Sequence, residues 1–237
     1  MKNKKINYAF IIWTSSFLIF IITLIYYNRE GNNIETKESS KQKQTFQTSP
    51  IADLSIDAAI EHMNGDYDAA RIVVIEYSDT ECPWCKLFHY KFQEQILKIY
   101  PHEVALIYRH FPLPMYPKSE KEAEALECAT EQKGNEMFWK YLDEIYRVTP
   151  SDNGLNPAEL PKIAERLNLD VFKFNQCLNE GRYTEKVENQ ILGGTSLGIH
   201  QTPSVIIWNR ISDKRQLISG ANSRFLEIKT IIDSALR

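Results

Sequence analysis

Long basic runs are missing from this chain. Across 237 residues no Lys/Arg stretch and no stripe of alternating basic and aromatic side chains appears, and the formal net charge is −3. Nucleic-acid binding therefore lacks its electrostatic footprint. Internal repeats are absent as well, which excludes a solenoid or repeat array. Cysteine is scarce, with four in the whole chain and only one pair at CxxC spacing. A structural zinc site asks for a second such pair or a His pair, and neither is present. What remains is a chain with 43% hydrophobic content, enough for one good core or one core with an appended subdomain.

The first apolar run, "YAFIIWTSSFLIFIITLIYY" (Tyr8–Tyr27), carries no charge. As a helix it would span roughly 30 Å, the hydrocarbon thickness of a bilayer. Tyr8, Tyr26 and Tyr27 lie near its ends, where aromatic anchors are favoured. The following "YYNREGNN" offers no small-x-small cleavage site, which separates an anchor from a cleaved signal peptide. Lys2, Lys4 and Lys5 precede the run, so the positive-inside rule leaves residues 1–27 as a cytoplasmic tip and transmembrane anchor with the bulk of the chain outside the cytoplasm. Less those three lysines, the 28 basic residues against 31 acidic ones leave a net charge of −6, mostly a matter of solubility. Residues 28–50 are polar, with Ile34 and Phe46 as their only large apolar side chains, and read as a flexible tether reaching on the order of 25–30 Å. The folded domain is expected to cover 51–237.

Within it, "RIVVIEYSD" (Arg71–Asp79) reads as a buried strand. Leu87, Phe88, Phe92, Ile96 and Ile99 recur at near-helical spacing, which predicts a helix over 83–100 with Pro83 in its first turn. "VALIYRHF" (Val104–Phe111) is a second strand, so strand, helix and strand make a βαβ unit with a parallel sheet. Four helical patterns follow. Ser119 with Glu122 reads as a capping box, Pro161 delays the start of the helix that carries Leu160, Ile163, Ala164 and Leu167, and the last pattern stops at Gly193-Gly194. "SVIIWN" (Ser204–Asn209) and "RQLISG" (Arg215–Gly220) pair as a hairpin, and an amphipathic helix spans 223–236. The predicted fold class is α/β, with a βαβ half, a helical insert at about 118–198, and a ββα half.

In the string "SDTECPWCK" (Ser78–Lys86) Cys82 and Cys85 can be a metal clip, an inert staple or a redox pair. His89 offers one more metal ligand, with no fourth near in sequence. A four-residue ring removes little chain entropy, which weakens the staple. The redox reading has a mechanism: Cys82 falls at a helix N-terminus, where unpaired N–H groups and the helix dipole favour an anion, and the thiolate is the nucleophile. Cys85, one turn in, is more shielded and suits a resolving role. In an oxidising compartment the favoured pairings are Cys82–Cys85 as a redox disulfide and Cys128–Cys177 as a structural one. Closing the longer loop is worth roughly 4 kcal/mol in the chain-entropy model; the alternative is two buried reduced cysteines.

"IVVIEYSDTECPWCKLFH", "RHFPL", "ALECA" and "GGTSLGIHQTPSVII" resemble the DsbA family of thiol–disulfide oxidoreductases over most of 71–237. The first and last strings are specific and the middle two are weaker. The resemblance implies a thioredoxin-like fold interrupted by a helical subdomain. It makes Thr202-Pro203 the cis-proline loop that binds substrate backbone, with Pro83 and Trp84 lining the same surface; an ordinary trans proline opening an edge strand is the plainer alternative. It makes Glu76 the buried acid that shuttles the proton of Cys85, against a solvated glutamate at a strand end. It implies exported cysteine-containing substrates, a quinone-linked membrane reoxidase and no organic cofactor. Departures leave the direction open. Trp84 stands where the strong oxidant of the family has His, and Glu81 adds a negative charge next to Cys82, so both raise the thiol pKa and make the disulfide less oxidising. A reductase or isomerase of the same fold, and a thiol-bearing chaperone or metal-binding module, stay open as alternatives. His89 and His110 are read as packing or surface residues.

Overall fold

The computed structural model describes residues 51, 54–57 and 60–237; the apolar segment 8–27 and the polar segment 28–50 lie outside the described residues. Among the described residues no helix is long and apolar enough to cross a membrane.

Among the described residues, β1 (His62–Asn64), β2 (Ile72–Ser78), β3 (Val104–His110), β4 (Ser204–Asn209) and β5 (Lys214–Ser219) form one sheet in the order β1-β3-β2-β4-β5. β2 (Ile72–Ser78) is buried along its whole length, as expected of a central strand covered on both faces. It runs parallel to β3 (Val104–His110), pairing Ile72 with Val104 and Ser78 with His110. It runs antiparallel to β4 (Ser204–Asn209), which pairs antiparallel with the edge strand β5 (Lys214–Ser219). The short β1 (His62–Asn64) adds antiparallel to β3. Three residues of "HMN" show no alternation, which is why β1 is not visible in the sequence.

Alternation along β2 divides the core. Ile72 and Val74 join Phe88, Phe92, Phe225, Ile228 and the apolar faces of the insert. Val73, Ile75 and Tyr77 join Ile107, Phe111, Ile199 and Ile206 on the other face. Glu76 and Ser78 continue the first of these rows, so a carboxylate and a hydroxyl project into the face that carries the helix after β2.

That helix, α1 (Pro83–Phe92), is shorter than the periodicity predicts. It passes into a π turn over Gln93–Leu97, where the Lys98 N–H donates to the Gln93 carbonyl; Ile99 and Tyr100 lie beyond it. The insert comprises α2 (Ser119–Lys133), α3 (Asn135–Val148), α4 (Glu159–Arg166), α5 (Val171–Asn179) and α6 (Thr184–Ser196), and α7 (Phe225–Leu236) closes the chain. Three sequence expectations are corrected here. Ser119 and Glu122 form no capping box: the Ser119 hydroxyl donates to the Tyr116 carbonyl and to Asp79, and Glu122 accepts from Thr80. Pro161 does not delay α4, which begins at Glu159 and holds the proline in its first turn, where no N–H is needed. Gly193-Gly194 does not end α6. A Cβ on Gly194 would sit 2.8 Å from ring atoms of both Phe111 and Tyr77, so glycine lets the helix lie against the sheet.

Candidate active site

Cys82 is the N-cap residue of α1, with extended backbone and Pro83 following in the first turn. Its carbonyl accepts from the N–H groups of Cys85 (3.1 Å) and Lys86 (3.2 Å). Its sulfur lies 3.7 Å from the carbonyl oxygen of Thr202. The Thr202–Pro203 peptide is cis, and the Thr202 hydroxyl is buried without a hydrogen-bond partner among the described residues. Both Cys82 and Cys85 are free thiols and both are buried, whereas Trp84 between them is 57% exposed. The loop that reads from sequence as four residues of one motif thus presents the indole outward and keeps both sulfurs covered.

The two thiols are driven in opposite directions. Cys82 is lowered to about 6, chiefly by the hydrogen bond from the Cys85 thiol. Burial opposes this, while Thr202 and the N–H groups of Cys85 and Trp84 reinforce it. Cys85 is raised well above the ordinary thiol range, first by burial and then by Cys82 and Glu76. One sulfur is favoured as thiolate because the other keeps its proton.

Glu76 is fully buried, and burial raises its carboxyl to about 8 against a bond from Ser78 that lowers it. The Ser78 hydroxyl donates to Glu76 Oε1 at 2.7 Å and lies 3.3 Å from the Tyr146 hydroxyl. Glu76 Oε2 has no partner among the described residues. Such a group is protonated at neutral pH and can give or take a proton there.

The triplet Asp79-Thr80-Glu81 ahead of Cys82 is built differently from a solvated turn. Asp79 accepts from the Leu113 N–H (2.7 Å), the Glu81 N–H (2.8 Å) and the Ser119 hydroxyl (3.1 Å). Burial still raises its carboxyl to about 7. Thr80 donates to Glu122 at 2.6 Å, and burial raises Glu122 to about 9. Glu81 is fully buried and accepts from the Leu155 N–H (2.8 Å), the Gly154 N–H (3.0 Å) and the Thr149 hydroxyl (3.1 Å). Its carboxylate is therefore engaged by three donors of the insert. Its carboxylate organises the loop between α3 and α4. The sequence shows these acids in a turn, but apart from the Glu81 N–H their partners are 34 to 74 positions away, so no local signal marks them as buried.

Elsewhere Cys128 in α2 and Cys177 in α5 are bridged, with Cα atoms 5.9 Å apart. His89 is buried and its Nε2 lies 2.7 Å from Asp143. It is therefore engaged away from the sulfurs and supplies no third ligand to them. His62, His110 and Glu127 are the one group among the described residues whose metal-ligating atoms lie within 4.8 Å of one another. Glu127 Oε1 bonds both imidazoles (2.7 and 2.9 Å), and the Lys186 ammonium donates to its other oxygen at 2.7 Å. The cation of that cluster is a lysine, and the cluster edges a cleft of about 870 Å³ that none of Cys82, Cys85, Glu76 and Thr202 lines.

A family model described as thioredoxin matches residues 58–233. The chain is 25% identical, over the full length of both, to a Bacillus cereus protein described as "Probable disulfide bond formation protein D". It is 29% identical over 156 residues to the Na(+)/H(+) antiporter NhaA 3 of Salinispora tropica, covering 65% of this chain and 22% of that one. The chain therefore spans about a fifth of the length of that relative. Among solved structures, Pseudomonas aeruginosa DsbA2 superposes with a TM-score of 0.60 at 26% identity, over 70% of this chain and 89% of that one. Oxidised BdbD from Bacillus subtilis superposes with a TM-score of 0.62 at 20% identity, over 74% and 92%, a likeness of fold. Strand, CxxC helix, helical insertion and cis-proline hairpin occur in one chain, and on that frame and the family match the protein belongs to the thioredoxin family, in its DsbA-like form.

Proposed function

We propose that this chain is a thiol–disulfide oxidoreductase that forms disulfides in exported proteins. The observation that carries the reading is a CxxC at a helix start, with Cys82 at the N-cap 3.7 Å from the Thr202 carbonyl of the cis-proline loop and Cys85 fully buried one turn in. A substrate thiolate attacks the Cys82 sulfur of a Cys82–Cys85 disulfide. The new bond joins substrate to Cys82, and Cys85 leaves with the electron pair. Glu76, protonated at neutral pH, supplies the proton that Cys85 takes up. A second substrate thiolate then attacks the substrate sulfur of the mixed disulfide and releases Cys82, so substrate is oxidised and the pair reduced. Cys82 leaves readily because its folded environment stabilises the thiolate between about pH 6 and the ordinary thiol value near 8.5.

Thr202, Pro203, Pro83 and the exposed Trp84 form the surface that receives an extended substrate segment. Residues 8–27 anchor the chain in a membrane with the catalytic domain outside the cytoplasm, and a quinone-linked membrane protein reoxidises the pair. The test is equilibration of the full-length protein with glutathione mixtures. A potential well above about −180 mV supports the oxidant, whereas one near −270 mV makes it a reductase. Cys82 titrating like a free cysteine near pH 8.5 would remove the nucleophile and with it the proposed activity.

A further inference from the structure

The backbone of Asp79 touches both ends of the redox motif, through the two peptides on either side of its Cα. Its N–H donates to the sulfur of Cys85 at 3.5 Å, and its carbonyl accepts from the N–H of Cys82 at 3.2 Å. The side chain of the same residue is tied to three places. It holds its own turn through the Glu81 N–H, the loop after β3 through the Leu113 N–H, and the start of the insert through the Ser119 hydroxyl. These ties hold the residue whose N–H points at a sulfur with no exposure to solvent.

That sulfur is the leaving group of the exchange proposed above. When substrate thiolate attacks Cys82, the S–S bond breaks and negative charge develops on Cys85 in a place water does not reach. A fixed donor aimed at the site of developing charge stabilises it without reorganising at the moment of reaction. We infer that the Asp79 N–H receives the charge arriving on Cys85, and that the Asp79 carboxylate is the positioning group that aims it. The inference rests on the thiol-exchange reading. It adds a donor that acts before the proton from Glu76 arrives, and it gives the buried carboxylate of Asp79 a task in the site.

The test compares two reactions of the full-length protein. Reduction of the oxidised form by glutathione requires Cys85 to leave; alkylation of Cys82 in the reduced form by iodoacetamide does not. Asp79→Ala is expected to slow reduction at least tenfold per folded molecule and to change alkylation less than threefold. Asp79→Asn keeps one acceptor oxygen and part of the anchoring, so it should recover at least threefold over Asp79→Ala at every pH from 6 to 9 while remaining slower than wild type. Should Asp79→Ala fail to fold, Asp79→Asn alone decides, being slower than wild type in reduction and matching it in alkylation. Equal slowing of both reactions would mean general distortion of the loop and would overturn the inference, as would Asp79→Asn reacting at the wild-type rate. A wild-type protein that glutathione does not reduce would instead sink the exchange activity itself.

Discussion

Two groups of buried carboxylates in this molecule have opposite fates. Beside the redox pair, Glu76, Asp79 and Glu122 accept from hydroxyls and N–H groups and, among the described residues, form no salt bridge, and burial raises them to about 8, 7 and 9. Beside β1 and β3, Glu127 is equally buried, but His62, His110 and Lys186 surround it. Burial raises it too, yet the two histidines outweigh burial and hold it well below the usual carboxylate range. The same functional group thus becomes a proton store in one place and a permanent anion in the other. Depth does not distinguish them; the partners do, since only Glu127 has two imidazoles and an ammonium within hydrogen-bond distance. A catalytic proton carrier needs burial without compensation, and a structural tie needs the reverse.

The sharpest way to break the comparison begins at the sulfurs. Cys85→Ala should stop turnover and let mixed disulfides with substrate accumulate on Cys82, seen by trapping and non-reducing electrophoresis; recovery of none would mean the acids serve no exchange. Next, Glu76→Gln should slow exchange on the order of a hundredfold near neutral pH. The deficit should shrink above pH about 8, where the wild-type carboxyl has lost its proton as well. A deficit constant with pH would deny it the role of proton carrier.

Glu127→Gln is the counterpart. It strips charge from between two imidazoles and an ammonium and should cost about 3 kcal/mol in denaturant unfolding, with Cys82 alkylation unchanged. Glu127 is depressed, so its own contribution is present above the unfolded carboxylate value near 4.3 and is lost as pH falls through the folded value. The raised acids have the other sign. They hold protons that the unfolded chain has released, so they erode stability as pH climbs from about 4 toward 9. Glu122→Gln, which keeps an acceptor for Thr80, should therefore stabilise the protein at pH 9 by more than about 1 kcal/mol and have little effect at pH 5. Smallest of all, Trp84→Ala should raise KM for a peptide substrate a few-fold and leave glutathione exchange unchanged, because the indole is exposed and under the proposed function its role is to meet the client segment.

How much of this was legible in the sequence follows from distance along the chain. The CPWC helix, the acid six residues before Cys82 and the β-branched strand beneath it are local signals, and the parallel and antiparallel neighbours of β2 follow from β-rich runs separated by helical ones. The triplet Asp79-Thr80-Glu81 carries no such signal. Polar residues between a strand and a helix ordinarily face water, and only the insert folding over them makes them buried acceptors. The same cause defeated the capping box: Glu122 has Thr80 as a partner from outside its helix, and a tertiary bond overrode the local one. His89 and His110 read as packing or surface residues from sequence; both are buried, and each is tied to a carboxylate from the insert.

The bridge between Cys128 and Cys177 has its own implication for how the molecule comes into being. It ties two helices of the insert, the same insert that supplies Ser119, Glu122 and Thr149 to the loop ahead of Cys82. A freshly made copy arrives with those two thiols open and must surrender an electron pair before its insert is fastened. Under the proposed chemistry each newcomer is a customer for the trade it will later practise, and the first molecule in any compartment depends on an older one, or on another oxidant, to finish it.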